Sequence, residues 1–340
     1  MKKLKIGLVF NQKPKKAGPS DTFAEWDGHE TISAVANALR KGVNGTGRRE
    51  VVLIEANNKM FNRLIREKPD IVFNIAEGFN GVSRESQVPA ILDMLQIPYT
   101  GSDPVTLGIC LDKQRTKEIL SFYDIPTPKF LTTVSGKELK SIFLPAVVKP
   151  MWEGSSKGIT NNSLVRTQKE LREQVSRVVN DYKQPALIEE FLDGREFTVA
   201  ILGNGDSIQV LPIVEIKLNE LPDNANKMYS YEAKWVWDTS DVPLDIFECP
   251  AKLDSKLKKK VEDICKKAFN VLRCRDWCRI DVRLDKNGEP HIIELNPLPG
   301  VLPNPEDNSC FPKAARSTGI SYDGMINSVL NSAIKRLEEN

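Results

Sequence analysis

RIDVRLDKNGEPHIIELNPLPG, residues 279–300, is the stretch on which the reading of this chain turns. It divides into two strands, 279–285 and 291–296, joined by an Asn287-Gly288 turn. Asn-Gly suits a type I′ hairpin, which needs positive φ at both central residues. With Asn287 and Gly288 as the two loop residues, Lys286 faces Glu289, Asp281 faces Glu294 and Arg279 faces Asn296. Ile280, Val282 and Leu284 then occupy the other face, opposite Leu295, Ile293 and His291. Directly opposed carboxylates lie with Cβ atoms about 5 Å apart and repel. Such a pair calls for a cation between the two, or for a raised pKa on one of them. Asn296 adds a neutral oxygen, so hard donors converge in a way that suits Mg²⁺ better than zinc. A hairpin face of this kind also reads as scattered solvated charge; the Pro-Leu-Pro-Gly that follows and the segments upstream favour the metal.

Length and composition narrow the classes. At 340 residues, 40% hydrophobic and 28% charged, the chain suffices for two or three globular domains. A net charge of +2 argues against a nucleic-acid binder driven by bulk electrostatics. No apolar run approaches the ~18 residues of a membrane span. The apolar part of MKKLKIGLVFNQ is too short for a signal peptide and reads as a buried strand, Leu4–Phe10. The six cysteines form no CxxC pair, which points to free thiols in a reducing cytoplasm. With His29 and His291 as the two histidines, and His291 inside a strand, the sequence argues against a Ser-His-Asp mechanism.

The first hundred residues alternate strand and helix: strands at 6–10, 51–54 and 71–75, helices at 30–39, 60–66 and 87–95. Continuous apolar strands between helices predict a parallel α/β sheet. Ligands collect beyond the carboxyl ends of such strands, so the loops 11–22 and 76–86 are candidate binding elements. A second pattern begins with a helix at 112–123, then strands at 146–149 and 163–165, a helix at 169–180 and a strand at 186–190, a small α+β module. The remainder carries strands at 197–202 and 208–214, a polar loop to Tyr231, a lysine-rich helix at 255–271, the hairpin, and an amphipathic helix at 322–337.

Two upstream segments carry chemistry. EGSSKG, 153–158, closely follows a strand ending at Lys149. Small residues let its backbone N–H groups form an anion nest, and Lys149 with Lys113 of LDKQRTK adds point charges for phosphate. It is not a Walker A loop, because the GxxxxGK[ST] spacing is absent. Glu189-Glu190-Phe191-Leu192, leading to Arg195-Glu196, offers a strand end for a purine edge and carboxylates for hydroxyls or an amine; it also reads as a strand leaving a domain.

Together these pieces resemble the ATP-grasp superfamily, and within it the D-alanine–D-alanine ligase-like family. The matching segments run in order as NIAEG (74–78), IPYTGSD (97–103), LDKQRTK (111–117), IPTP (125–128), VVKPMWEGSSKG (147–158), EEFLDGREFTV (189–199), YSYEAK (229–234) and CP (249–250), followed by CRIDVRLD and IIELNPLPG. The resemblance implies a three-domain fold: an N-terminal α/β substrate domain (1–103), a central lid (104–190) and a C-terminal catalytic domain with an antiparallel sheet (191–340). It implies that Lys113 and Lys149 hold ATP phosphates and that Glu153, Ser155 and Ser156 belong to the loop closing over the γ-phosphate. Glu189 and Glu196 would contact adenine and ribose, with the backbone about Glu190 and Leu192 completing the purine slot. Asp281, Glu294 and Asn296 match ligands of two Mg²⁺ ions, for which Mn²⁺ could stand in. Arg279 and the N–H of Gly300 match the stabilisers of a tetrahedral intermediate, and Lys234 with Ser309 matches the grip on the second substrate's carboxylate. The activity implied is an ATP-dependent carboxylate–amine ligase acting through an acyl phosphate on small molecules, in the cytoplasm, as a possible homodimer.

The substrate-facing parts depart from the pattern. Trp235 stands where the family commonly places a tyrosine that bonds with the serine loop and an N-terminal glutamate. FAEWDGHET offers Glu25, Asp27 and Glu30 for that acid, and Glu30 is favoured from its place at a helix start. The HGxxGEDG loop becomes EGFNGVSRES, introducing Glu77, Arg84 and Glu85. Trp26, Trp152, Trp235 and Trp237 could line a larger pocket or pack between domains. The alternatives are a different acceptor (hydroxy acid, non-standard amine or carrier thiol) and an ATP-binding module without turnover.

Overall fold

The apolar N-terminal strands pair in parallel, as their patterning requires. A computed structural model describes residues 3–14, 21–42, 49–135, 142–222, 225–234 and 244–339. Strand β1 (Leu4–Phe10) lies between β2 (Arg49–Glu55) and β3 (Ile71–Asn74) in a parallel sheet. Ile6, Leu8 and Phe10 of β1 face one core and Val9 faces another, so the central strand is apolar on both sides. The first core receives α1 (His29–Lys41); the second receives α2 (Met60–Glu67) and α3 (Gln87–Met94). Sequence reading did not anticipate α4 (Pro104–Leu111), although Asp103 caps it by accepting from Thr106 N and proline fills its first turn.

After α5 (Lys113–Phe122), strands β4 (Phe130–Thr133), β5 (Ala146–Pro150), β6 (Leu164–Val165) and β7 (Ala186–Glu190) form an antiparallel sheet in the order β4-β7-β5-β6. It is backed by α6 (Gln168–Tyr182) over a small aliphatic core of its own. The third sheet takes β8 (Glu196–Leu202), β9 (Gln209–Val210), β10 (Val214–Ile216), β11 (Phe247–Glu248), β12 (Trp277–Leu284) and β13 (Pro290–Asn296), along the path β11-β10-β8-β12-β13. The strand expected at 208–214 is thus two short ones. Helix α7 (Ser255–Val271) covers one face of this sheet, burying Val261, Cys265 and Phe269 against Phe197, Val199, Ile280 and Val282. The other face, carrying Glu196, Thr198, Arg279, Asp281 and Arg283, is left to line a cleft.

The opening hairpin is built differently from its expected form, yet keeps the expected pairing at the site. Asp285 N donates to Glu289 O, and Gly288 alone among the loop residues has positive φ (79°), which makes a three-residue loop rather than a type I′ turn. Arg283 therefore pairs with His291 and Val282 with Ile292, one step off the expected register. A bulge at Ile293 restores the count, so that Asp281 pairs with Glu294 and Arg279 with Asn296.

Helices α8 (Cys310–Ser317) and α9 (Tyr322–Glu338) close the chain, with α9 packing on α1. Asp276, fully buried, ties three regions together. It accepts from Gly101 N at 2.7 Å, Asn204 Nδ2 at 2.8 Å, and Arg336 Nε and Nη2 at 3.1 and 2.9 Å. Arg336→Ala leaves this carboxylate without its guanidinium and is expected to cost about 3–5 kcal/mol. Urea unfolding checks this, and a loss under 1 kcal/mol would show that the anchor is dispensable.

Candidate active site

Four groups of the hairpin share the cleft floor because β12 and β13 present alternate residues to it. Arg279 donates to both oxygens of Asp281, at 3.1 and 2.9 Å, and Asn296 Nδ2 donates to Asp281 at 3.2 Å. Lys113 stands 3.5 Å and Arg279 4.0 Å from Glu294. Burial alone would raise the Glu294 pKa. The cations Lys113, Lys149 and Arg279 outweigh it and bring the value to about 2. Cations thus stand beside both opposed carboxylates, Arg279 beside Asp281 and Lys113 beside Glu294. Thr198 pairs with Asp281 across the sheet, and its hydroxyl is buried with no hydrogen-bond partner. Two carboxylates, an amide oxygen and an orphaned hydroxyl in one patch form an all-oxygen donor set, which fits Mg²⁺ or Mn²⁺.

Above the floor lie the lysines. Lys149, from β5, approaches Glu189 of β7 at 2.5 Å, and Lys117, from α5, approaches the other oxygen of Glu189 at 2.6 Å. Lys113, one turn before Lys117, gives its ammonium to the carbonyl of Glu153. Burial acts to lower the Lys149 pKa, but Glu189 and Glu294 reverse it to a raised value. Burial holds Lys117 at about 8 against the pull of Glu189. The role of Lys117 was not anticipated, though its i,i+4 spacing from Lys113 places the two on one helix face. Glu189, which the resemblance assigned to adenine, bonds both lysines. Glu196 pairs with Arg283 at 3.0 Å, and the guanidinium of Arg283 lies 4.8 Å from the Phe191 ring. Burial raises the Glu196 pKa despite Arg283. Glu190 and Leu192 line the same end of the cleft.

The serine loop is held from the N-terminal side. Ser155 and Ser156 adopt positive φ (49° and 60°), the backbone of an anion nest. Glu25 accepts from Gly154 N at 2.8 Å and takes Arg84 in a fork, at 3.1 and 2.6 Å. Arg84 also donates to Trp152 O at 2.6 Å. Burial would raise the Glu25 pKa, but Arg84 and Lys157 carry it below the ordinary value. Glu153 turns its carboxylate to Lys157 at 2.7 Å and to Gln184. Of the three candidate acids, Glu25 thus contacts the loop, whereas Asp27 lines the cleft and Glu30 stands exposed at its mouth, in the first turn of α1. Glu77 and Glu85 also line it. Burial raises Glu85 and Asp27 to about 7, and burial with Glu85 and Glu25 nearby raises Glu77 well above the usual range.

Lys234 lines the cleft, its pKa lowered to about 8 by burial and by Arg279. Ser309, the residue before α8, donates to Gly300 O at 3.1 Å and accepts from Leu302 N at 3.2 Å, shaping the turn that presents Gly300 to the cleft. Trp235 and Trp237 lie outside the described residues. Trp26 lines the cleft, packed between Phe23 and Phe79, but Trp152 does not; its indole donates to Asp112 and braces the lid. The whole cleft encloses about 480 Å³.

Residues 126–331 match the family described as D-ala D-ala ligase C-terminus. The chain is 36% identical to a protein of Sinorhizobium fredii, uncharacterized protein y4sG, over 84% of each chain. It is 32% identical to a D-alanine–D-alanine ligase of Cupriavidus necator, over 80% of this chain and 78% of that one. The crystal structure of the D-alanine–D-alanine ligase from Bacillus anthracis complexed with ATP superposes with a TM-score of 0.71 at 23% identity, covering 99% of this chain and all of the other. Fold and site define an ATP-grasp enzyme. The chain belongs to the D-alanine–D-alanine ligase-like family of ATP-dependent ligases. Among the described residues no helix is long and apolar enough to cross a membrane.

Proposed function

We propose that this ligase joins the carboxylate of one small molecule to the amine of another, with ATP cleaved to ADP and phosphate. The observation that carries the reading is the floor constellation Arg279, Asp281, Glu294 and Asn296 facing Lys113 and Lys149. The donor carboxylate attacks the γ-phosphorus, the bond to the bridging oxygen breaks, and ADP leaves with its electron pair. Lys113 and Lys149 neutralise the phosphates while the nest about Ser155 and Ser156 covers them. Asp281, Glu294 and Asn296 would hold Mg²⁺, which supplies charge neutralisation between the phosphates. The amine then attacks the acyl carbon, and Arg279 with Gly300 N–H bears the oxyanion until phosphate departs. Lys234 and Ser309 face the acceptor's carboxylate, and Glu196 with the backbone at Glu190 and Leu192 frames the nucleoside. The protein would act in the cytoplasm, and domains bounded at 103/104 and 190/191 would let the lid close.

Asp27, Glu77 and Glu85 form the wall that receives the substrate ammonium. Asp27 and Glu85 titrate near 7, so they are protonated below that pH and charged above it. The KM for the amino-acid substrate is expected to fall several-fold from pH 6 to 8, and Glu85→Gln to flatten the slope; a slope unchanged in that variant assigns it to other groups. Phosphate release from ATP across a panel of amino acids and hydroxy acids tests the function itself. Release with D-alanine alone identifies the activity named for the relatives. Release with hydroxy acids alone moves the chain to a different acceptor. ATP binding without any substrate-dependent release would reduce it to a binding module.

A further inference from the structure

We infer that Lys117 is a positioning residue for the reaction, keeping Lys149 available to ATP by sharing Glu189 and tying the lid sheet to the metal-ligand hairpin. Lys149 and Glu189 sit diagonally on one face of the lid sheet, since Glu189 pairs with Val147. Both line the cleft, whereas Lys117 lies behind them, 1% exposed. Without Lys117, Glu189 and Lys149 would form a closed, neutral pair, and the lysine would be spent on its own carboxylate. With Lys117 on the other oxygen, two cations share one anion, and the group keeps a net positive charge beside the phosphate nest.

The same ammonium has a second anchor. Lys117 donates to Thr127 Oγ1 at 2.8 Å, and that hydroxyl donates to Ile292 O at 2.8 Å. Ile292 N in turn donates to Pro126 O at 2.8 Å. Ile292 immediately precedes the bulge residue Ile293 and the ligand Glu294. One chain of polar contacts therefore runs from Lys149 through Glu189, Lys117 and Thr127 to the strand that aims Glu294.

The inference rests on the reading of Lys149 as a phosphate lysine, and a double-mutant cycle separates the two. Dissociation constants for ATP are measured by calorimetry on the full chain, with melting temperature and kcat recorded alongside. Lys117→Met is expected to weaken ATP binding by about tenfold with a smaller change in kcat, and to have no further effect in a Lys149→Met background. A lowered melting temperature with unchanged ATP affinity would make Lys117 structural and overturn the role. Equal losses in both backgrounds would do the same, because the effect would not pass through Lys149. Unchanged affinity in Lys149→Met alone would sink the phosphate reading and the role of Lys117 with it. Should Lys117→Met not fold, Thr127→Val cuts the second anchor while leaving every charge in place. About a threefold weakening of ATP binding is expected there, restored by Thr127→Ser. Wild-type affinity in Thr127→Val would count equally against the role.

Discussion

Arg279→Ala is expected to lower turnover by roughly 10²–10³-fold or more while ATP still binds, because it removes a preorganised donor from the position where the oxyanion develops. Arg279 stands on the cleft floor in a bidentate contact with Asp281, and Gly300, on the turn that Ser309 supports, lines the same cleft. None of the nucleotide-end groups Lys149, Glu189 and Glu196 bonds to it, so binding of ATP alone should change little. The same substitution removes a cation from beside Asp281 and Glu294. Divalent-ion affinity should therefore rise, since an ion no longer competes with the guanidinium for those oxygens. Arg279→Lys keeps the charge but loses the fork and should recover only part of the rate. Steady-state kinetics with separate nucleotide and Mn²⁺ titrations resolve these effects. Lost ATP binding with normal turnover per bound ATP would refute the oxyanion assignment.

The hairpin shows how far the sequence could be read. Asp281 opposite Glu294 was recoverable from strand alternation, although the loop is one residue longer than expected and a bulge, not expected, adds Ile293 to the second strand. The two departures cancel at the site and persist at Val282 and His291, where the pairing is shifted. Local signals of this kind report residues near in sequence. Lys117, Arg84 and Arg283 carried no comparable signal, because each acquires its meaning from a partner brought in by tertiary folding. Glu189 lies 72 residues from Lys117 by number (189 − 117), and Glu25 lies 59 residues from Arg84. A buried cation is legible only once its carboxylate is placed. The same holds for Glu30: its helix start was correctly anticipated, but contact with the serine loop falls to Glu25, in the segment that leads into the helix.

That contact supports the second large effect. Arg84 and Glu25 are both nearly buried, with side chains 9% and 7% exposed, and together they hold the serine loop through Gly154 N and Trp152 O. Arg84→Met leaves Glu25 buried without its guanidinium, and the expected cost is about 3–5 kcal/mol of stability. Because burial and charge act together there, Gly154→Ala isolates the clasp. A Cβ at Gly154 would meet Glu25 Oε1 at 2.6 Å, so the carboxylate must draw back from Gly154 N although every charge remains. ATP affinity should then fall and susceptibility of 153–158 to proteolysis should rise, with much less loss of stability than in Arg84→Met. The pH dependence has a definite sign. Glu25 is depressed below 4.5, so its contribution is complete above the unfolded pKa and is lost as pH falls through the folded value. Asp27 and Glu85, raised to about 7, act oppositely: their burial costs stability progressively as pH rises from the unfolded values toward 7. The Gly154 N–H is the smallest of the contacts that depress Glu25, after Arg84 and Lys157, so Gly154→Ala should soften the acid-side loss and leave the neutral-side slope intact. Melting curves from pH 3 to 8 that lost both slopes together would show that the clasp and the acidic wall are one unit.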